Sequence, residues 1–199
     1  MEIFLVRHTT PDVAKGVCYG QADIGVTDSF HSEASEIRKY VPTQVAAVYS
    51  SPLQRCRLLA EYLYGEHPLQ LYDELKEIDC GQWELQRWDD IPRTEIDPWM
   101  NDLVNVRTRG GESYTDLYLR VHRIFEQIHR QELPAVLVAH GGVIRSILSH
   151  ITGTALTDSF KVFSLHYGCV IRLYKNDGWR YEVLFNPFRE KETHKPSNL

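Results

Sequence analysis

The chain has 199 residues, 43% of them hydrophobic and 25% charged, and a formal net charge of −5. That length suits one domain with a substantial core. The acidic balance argues against a global basic surface for nucleic acid but allows a local basic pocket.

The first residues carry no basic region followed by a long apolar stretch, and no uninterrupted apolar run reaches about 18 residues. Neither a secretory signal nor a membrane span is expected, and the expected compartment is the cytoplasm. Cys18, Cys56, Cys80 and Cys169 are far apart and form no Cys-x-x-Cys pair. They read as free thiols in or near the core rather than as disulfides or zinc ligands.

Taken in order, residues 2–6 form a short apolar run that ends abruptly at Arg7-His8. Residues 31–41 read as a short helix. Residues 46–49 are a second buried strand, closed by Ser50-Ser51-Pro52. A helix should follow, because Leu53, Cys56, Ala60 and Leu63 recur at helical spacing. Pro52 suits its first turn and Ser51 its cap. Residues 69–72 form a weaker third strand.

Residues 113–131 are the clearest helix, with Leu117, Val121, Ile124, Phe125 and Ile128 in one apolar stripe. Glu112 and Ser113 either start it or lie in a loop over a pocket. Residues 135–139 are a fourth strand, ending at His140-Gly141-Gly142. The next helix runs through Val143, Ile144, Ile147, Leu148 and Ile151 and stops at Gly153. Residues 169–174 and 180–185 flank Asn176-Asp177-Gly178, a hairpin signal. From about Arg189 the chain turns polar.

Uniformly apolar strands alternating with helices predict an α/β three-layer sandwich. Its central sheet is mostly parallel, with helices on both faces and an antiparallel edge from the hairpin. The domain should span 1–188 and the polar tail 189–199.

Ligands of open α/β folds bind beyond the carboxyl ends of the strands. Those ends deliver Arg7-His8, then Arg55 on the first turn of a helix, then Asp73-Glu74-Leu75-Lys76-Glu77, then His140-Gly141-Gly142. Two histidines, two arginines and carboxylates converge, and the set suits phosphoryl transfer. Arginine forks match phosphate oxygens, and a helix N-terminus near Arg55 adds amide donors. Neutral imidazole is a good nucleophile, and nearby arginines would keep His8 neutral. His140 would donate to a phosphoryl oxygen. Gly141 and Gly142 let the backbone approach the substrate. A carboxylic acid must protonate the leaving oxygen, and Glu77 would then activate water.

At this point the sequence resembles the histidine phosphatase superfamily, also called the phosphoglycerate mutase-like family. The resemblance rests on Leu5-Val6-Arg7-His8, on residues 50–55 (Ser-Ser-Pro-Leu-Gln-Arg), on residues 75–84 (Leu-Lys-Glu-Ile-Asp-Cys-Gly-Gln-Trp-Glu), and on Ala139-His140-Gly141-Gly142. It implies that His8 is the phosphorylated nucleophile, that Arg7, Arg55 and His140 form the phosphate pocket, and that Glu77 is the acid. Glu74, Asp79 and Glu84 are rivals of Glu77, which spacing from Gly81-x-Trp83-Glu84 favours by analogy. No metal or organic cofactor is implied.

Thr9-Thr10-Pro11-Asp12 departs from the Gly-Glu/Gln-Thr run of many members, and no Asn follows nearby. A narrower likeness is to the α-ribazole phosphatases of cobalamin biosynthesis, which remove the 5′-phosphate of α-ribazole 5′-phosphate. It is carried by residues 7–11 (Arg-His-Thr-Thr-Pro), by residues 16–23 (Gly-Val-Cys-Tyr-Gly-Gln-Ala-Asp) and by Gly110-Gly111-Glu112-Ser113. Tyr19, Gly20 and Gln21 either shape the pocket or form a turn.

The expected partner is a small phosphate ester, with no nucleic acid and no membrane; a homo-oligomer stays open. The alternatives are a broad-specificity sugar-phosphate phosphatase, a phosphoglycerate mutase and, ranked below them, a non-catalytic phosphate-binding module. His31, His67, His122, His129, His150, His166 and His194 match no motif and read as surface or hydrogen-bonded structural residues.

Overall fold

Along Glu2–Arg7 (β1), side chains alternate between two apolar layers. Ile3 and Leu5 join one buried cluster, Phe4 and Val6 another. A strand apolar on both faces must be covered on both. The same holds for Ala135–Ala139 (β4), whose Leu137 and Val138 enter opposite clusters. The computed structural model describes residues 1–187, so the expected tail and His194 lie outside the described residues.

The other strands are Ala47–Ser50 (β2), Leu69–Leu71 (β3), Val170–Lys175 (β5) and Trp179–Phe185 (β6). They form one sheet in the order β3-β2-β4-β1-β5-β6. The first four strands run parallel, and β5 and β6 add antiparallel at one edge. This is the expected mixed sheet.

Phe30–Ile37 (α1) and Gln54–Tyr64 (α2) cover one face. Tyr114–His129 (α4) and Gly141–Thr152 (α5) cover the other. Ser113 caps α4 in a reciprocal capping box with Asp116. The helix expected over 31–41 ends earlier as α1, and its last residues form a 3-10 turn, Arg38–Tyr40.

One local expectation fails. Leu53, not Ser51, occupies the cap position of α2 and makes no side-chain cap bond. The Gln54 amide donates to Asp23 Oδ1 at 2.6 Å, and the Leu53 amide reaches Ser51 Oγ at 3.3 Å. These α2 amides are therefore occupied within the protein rather than waiting for an anion.

Two helices were not expected, Arg93–Asn101 (α3) and Leu156–Val162 (α6). α3 belongs to a third buried cluster, built on Cys18, Cys80, Trp83, Trp88, Ile91 and Ile96, that stands apart from the two sheet layers. All four cysteines are free and buried. Among the described residues no helix is long and apolar enough to cross a membrane.

Candidate active site

The parallel strands β1 and β4 end side by side, and the His8 amide donates to the Ala139 carbonyl at 3.1 Å. Beyond those ends lies a cavity of about 290 Å³ lined by Arg7, His8, Tyr19, Glu77, Gly141 and Gly142, with Arg145, Phe160, Leu165 and Tyr167 completing the wall. Its position is the one that strand-end chemistry predicts for an α/β sheet.

His8 is only 2% exposed. Its Nδ1 lies 2.7 Å from the Thr9 carbonyl oxygen. A carbonyl only accepts, so Nδ1 carries the proton and Nε2 keeps its lone pair. Burial, then the charges of Arg55 and Arg7, hold the His8 pKa well below the ordinary histidine value. His8 is therefore a neutral imidazole with a fixed tautomer. Arg7 donates from Nη1 to the Leu165 carbonyl at 2.5 Å, and its Cζ lies 4.1 Å from the centre of the Tyr167 ring. Stacking and that bond fix the guanidinium beside His8.

Glu77 reaches the cavity from the segment after β3. Its carboxylate accepts the amides of Ile78 and Gly142, both at 3.0 Å. A Cβ at position 142 would stand 2.2 Å from Glu77 Oε1, so only glycine admits this approach. From behind, Arg120 donates to the carbonyls of Glu74, Lys76 and Glu77, each at 2.7 Å, and forks onto Glu112. Glu112 in turn accepts the Asp79 amide at 3.0 Å. Of the rival acids, Glu84 is committed elsewhere: it gathers the amides of Gly20, Gln21, Ala22 and Cys80. This ties the loop carrying Tyr19 to the segment carrying Glu77. Gly20 is required there, since a Cβ would lie 1.9 Å from the Ile78 carbonyl oxygen.

Arg55, His140 and Gly20 were expected around the phosphate, but they do not line the cavity. Arg55 is fully buried and donates to the carbonyls of Gly20 at 2.6 Å and Ala22 at 2.9 Å. His140 Nε2 lies 2.8 Å from Ser51 Oγ, and its ring meets that of His8 edge-on at 5.2 Å between centroids. Burial first, then Arg55, His8 and Arg7, lower its pKa well below the ordinary value. The Ser51 hydroxyl, read from sequence as a helix cap, thus meets His140 as well as the Leu53 amide.

Arg145, Phe160, Leu165 and Tyr167 are the wall residues that sequence reasoning missed. Arg145 sits one helical turn after Gly141, on the same face of α5, and its Cζ lies 4.7 Å from the Phe160 ring centre. A lone arginine at that spacing in an apolar helix was the available signal. Phe160 and Tyr167 had none, because they come from the short α6 and an irregular connection.

The family model described as the histidine phosphatase superfamily (branch 1) matches residues 3–187. Adenosylcobalamin/alpha-ribazole phosphatase of Escherichia coli (strain K12) is 23% identical over 180 residues, covering 85% of this chain and 87% of that protein. The 6-phosphofructo-2-kinase/fructose-2,6-bisphosphatase of Arabidopsis thaliana is 26% identical over 163 residues, or 78% of this chain; the match spans only 22% of that longer protein. The crystal structure of the alpha-ribazole phosphatase from Shigella flexneri superposes with a TM-score of 0.84 at 22% identity, over 92% of this chain and 96% of that one, and so shares the fold. The chain belongs to the histidine phosphatase superfamily, branch 1, and is an enzyme that hydrolyses phosphate esters.

Proposed function

We propose that this enzyme passes the phosphoryl group of a small phosphate monoester through His8, acting in the cytoplasm. The observation that carries the reading is the fixed tautomer of His8: its proton is on Nδ1, held by Thr9, in a cavity also lined by Arg7 and Glu77. Nε2 attacks phosphorus and the P–O bond to the leaving group breaks. Glu77 supplies the proton that the leaving oxygen takes. In the second half Glu77 takes a proton from water, the water oxygen bonds to phosphorus, and the P–N bond breaks.

Arg7 and the N-terminus of α5 stabilise the equatorial oxygens. Arg55 and His140 act on His8 from behind, Arg55 by its charge and His140 through ring contact. Tyr19 and Gly141 bound the substrate, and Gly20 shapes the loop beside it. None of these steps calls for a metal or organic cofactor.

For the substrate we favour α-ribazole 5′-phosphate, and with it a role in cobalamin biosynthesis. The E. coli relative supports this by name, and the aromatic side chains of Tyr19, Phe160 and Tyr167 in the wall suit a planar leaving group. A second reading is favoured by Arg145, a second cation on the wall. It suits an ester with another acidic group, as in sugar bisphosphates or 3-phosphoglycerate.

The test is phosphate release from α-ribazole 5′-phosphate, fructose 2,6-bisphosphate, 3-phosphoglycerate and a panel of sugar phosphates, with His8→Ala as control. Selective turnover of the ribazole ester, lowered about 10⁴-fold or more in the variant, supports both levels of the reading. His8-dependent turnover of other esters keeps the mechanism and discards the ribazole substrate. Transfer between positions of phosphoglycerate without release would make the enzyme a mutase, and activity indifferent to His8→Ala would sink the phosphohistidine route.

A further inference from the structure

Three of the histidines that match no motif meet on the far side of the α4/α5 pair. Tyr118, His122, Glu126 and His129 follow at spacings of four, four and three on α4, which puts them on one helix face. His150, in the last turn of α5, faces them. Glu126 Oε1 lies 3.1 Å from His129 Nε2 and 3.3 Å from His150 Nε2. The rings of His122 and His150 are tilted against each other with centroids 4.2 Å apart. His122, Glu126 and His150 can each offer one ligand atom within 4.8 Å of the other two.

We propose that His122, Glu126 and His150 form a site for a zinc-like divalent transition-metal ion, separate from the phosphatase cavity. Two imidazole nitrogens and one carboxylate oxygen are a donor set for Zn²⁺ or Co²⁺; Mg²⁺ and Ca²⁺ prefer all-oxygen sites. Ligand atoms around a tetrahedral zinc stand about 3.3 Å apart, the spacing already present between Glu126 Oε1 and His150 Nε2.

Two further observations point to a ligand. The buried Nδ1 of His122 has no hydrogen-bond partner among the described residues, an uncommon state for a buried polar atom. The other side of His150 is provided for as well. Its Nδ1 lies 3.5 Å from the Tyr118 hydroxyl, whose oxygen can accept a hydrogen bond from Nδ1–H when Nε2 turns to a metal.

His129 Nε2 touches the same Glu126 oxygen, while Arg130 Nη2 faces Oε2 at 3.5 Å. His150 lies eight residues beyond Gly142, about 12 Å along the axis of α5. A bound ion would pin α4 to α5 at the end opposite the Tyr114 contact with Gly142 and would take no part in phosphoryl transfer.

The test uses the full chain, freed of metal by a chelator and titrated with Zn²⁺ by calorimetry and with Co²⁺ by visible absorption. The expected result is one equivalent bound, a raised Tm with Zn²⁺, and a tetrahedral Co²⁺ spectrum. His150→Asn, His122→Asn and the near-isosteric Glu126→Gln should each weaken binding more than about 100-fold, and circular dichroism and the metal-free Tm establish that each is folded. His8→Ala and His31→Asn, an exposed control, should bind as the unaltered chain does. No saturable binding, binding undiminished in folded Glu126→Gln and His150→Asn, or binding lost in His8→Ala would each overturn the proposal.

Discussion

The floor and the wall of the cavity are built in different ways. The floor is made of strand ends: Arg7 ends β1 and His8 follows it, and Gly141 comes just after β4, in a sheet whose register fixes them to one another. The wall is made of connections and helix side chains, with Tyr19, Arg145, Phe160, Leu165 and Tyr167 drawn from four separate stretches of chain. A floor set by hydrogen-bonded strands holds reacting groups with little freedom, as phosphoryl transfer requires. A wall of loop and helix side chains can change with the substrate while the floor stays. Floor variants should therefore lose turnover, and wall variants should lose discrimination.

The largest expected effect after loss of His8 belongs to Glu77, the floor group that does not sit on a strand end. Glu77→Gln keeps the shape and removes the proton, so kcat should fall about 10²–10⁴-fold. Gly142→Ala tests whether the position of that carboxylate matters as much as its identity. The new Cβ would stand 2.2 Å from Glu77 Oε1 and 2.9 Å from Leu117, so the carboxylate must move. A fall in kcat of about 100-fold is expected, with Tm changed far less than activity. Unchanged turnover in Gly142→Ala, measured with a saturating ester, would show that the Glu77–Gly142 contact is not what positions the acid.

The same division decides what could be read from the sequence. The floor was legible because apolar runs ending in Arg-His and in His-Gly-Gly carry their own markers, and alternation put both strands in the core. The stripe on α4 and the hairpin of β5 and β6 were legible for the same reason. The helix α3 was not: it contains Pro98, and Ile96 is its one buried residue, so no apolar period announces it. The seven-residue α6 buries only Ser159. Both depend on tertiary contacts, α3 on the tryptophan cluster and α6 on its packing against α5. Ser51 stands two residues before the cap position, Leu53, and its hydroxyl serves both the Leu53 amide and His140, a second use that residue type does not announce.

Arg145 is where the wall can be probed alone. Among the described residues it lies over the Phe160 ring and makes a long bond of 3.5 Å to the Phe163 carbonyl. Arg145→Ala should raise KM about 10–100-fold for an ester with a second acidic group, the range of one charge-assisted hydrogen bond, with kcat altered much less. For an ester without that group KM should change little. Steady-state kinetics on one substrate of each kind measures the contrast, and an equal fall of kcat on both would move Arg145 from the wall to the floor.

The smallest effect needs no substrate. His8 and His140 are both buried, and both are held below the ordinary histidine pKa of 6.5 by burial first and by Arg55 next. Above pH 6.5 they are neutral folded and unfolded, and their full stability is present. As pH falls below 6.5 the unfolded chain takes up protons that the native state refuses, so stability drops until the native pKa values are reached. Each histidine adds a slope of at most about 1.4 kcal/mol per pH unit. Urea unfolding between pH 7 and 5 should show this decline. His8→Asn should make it shallower by removing one titrating group from the floor, whereas Arg145→Gln should leave the slope as it is. A slope unaltered by His8→Asn would mean that His8 accepts a proton in the folded enzyme, and the neutral imidazole on which the proposed mechanism rests would be lost with it.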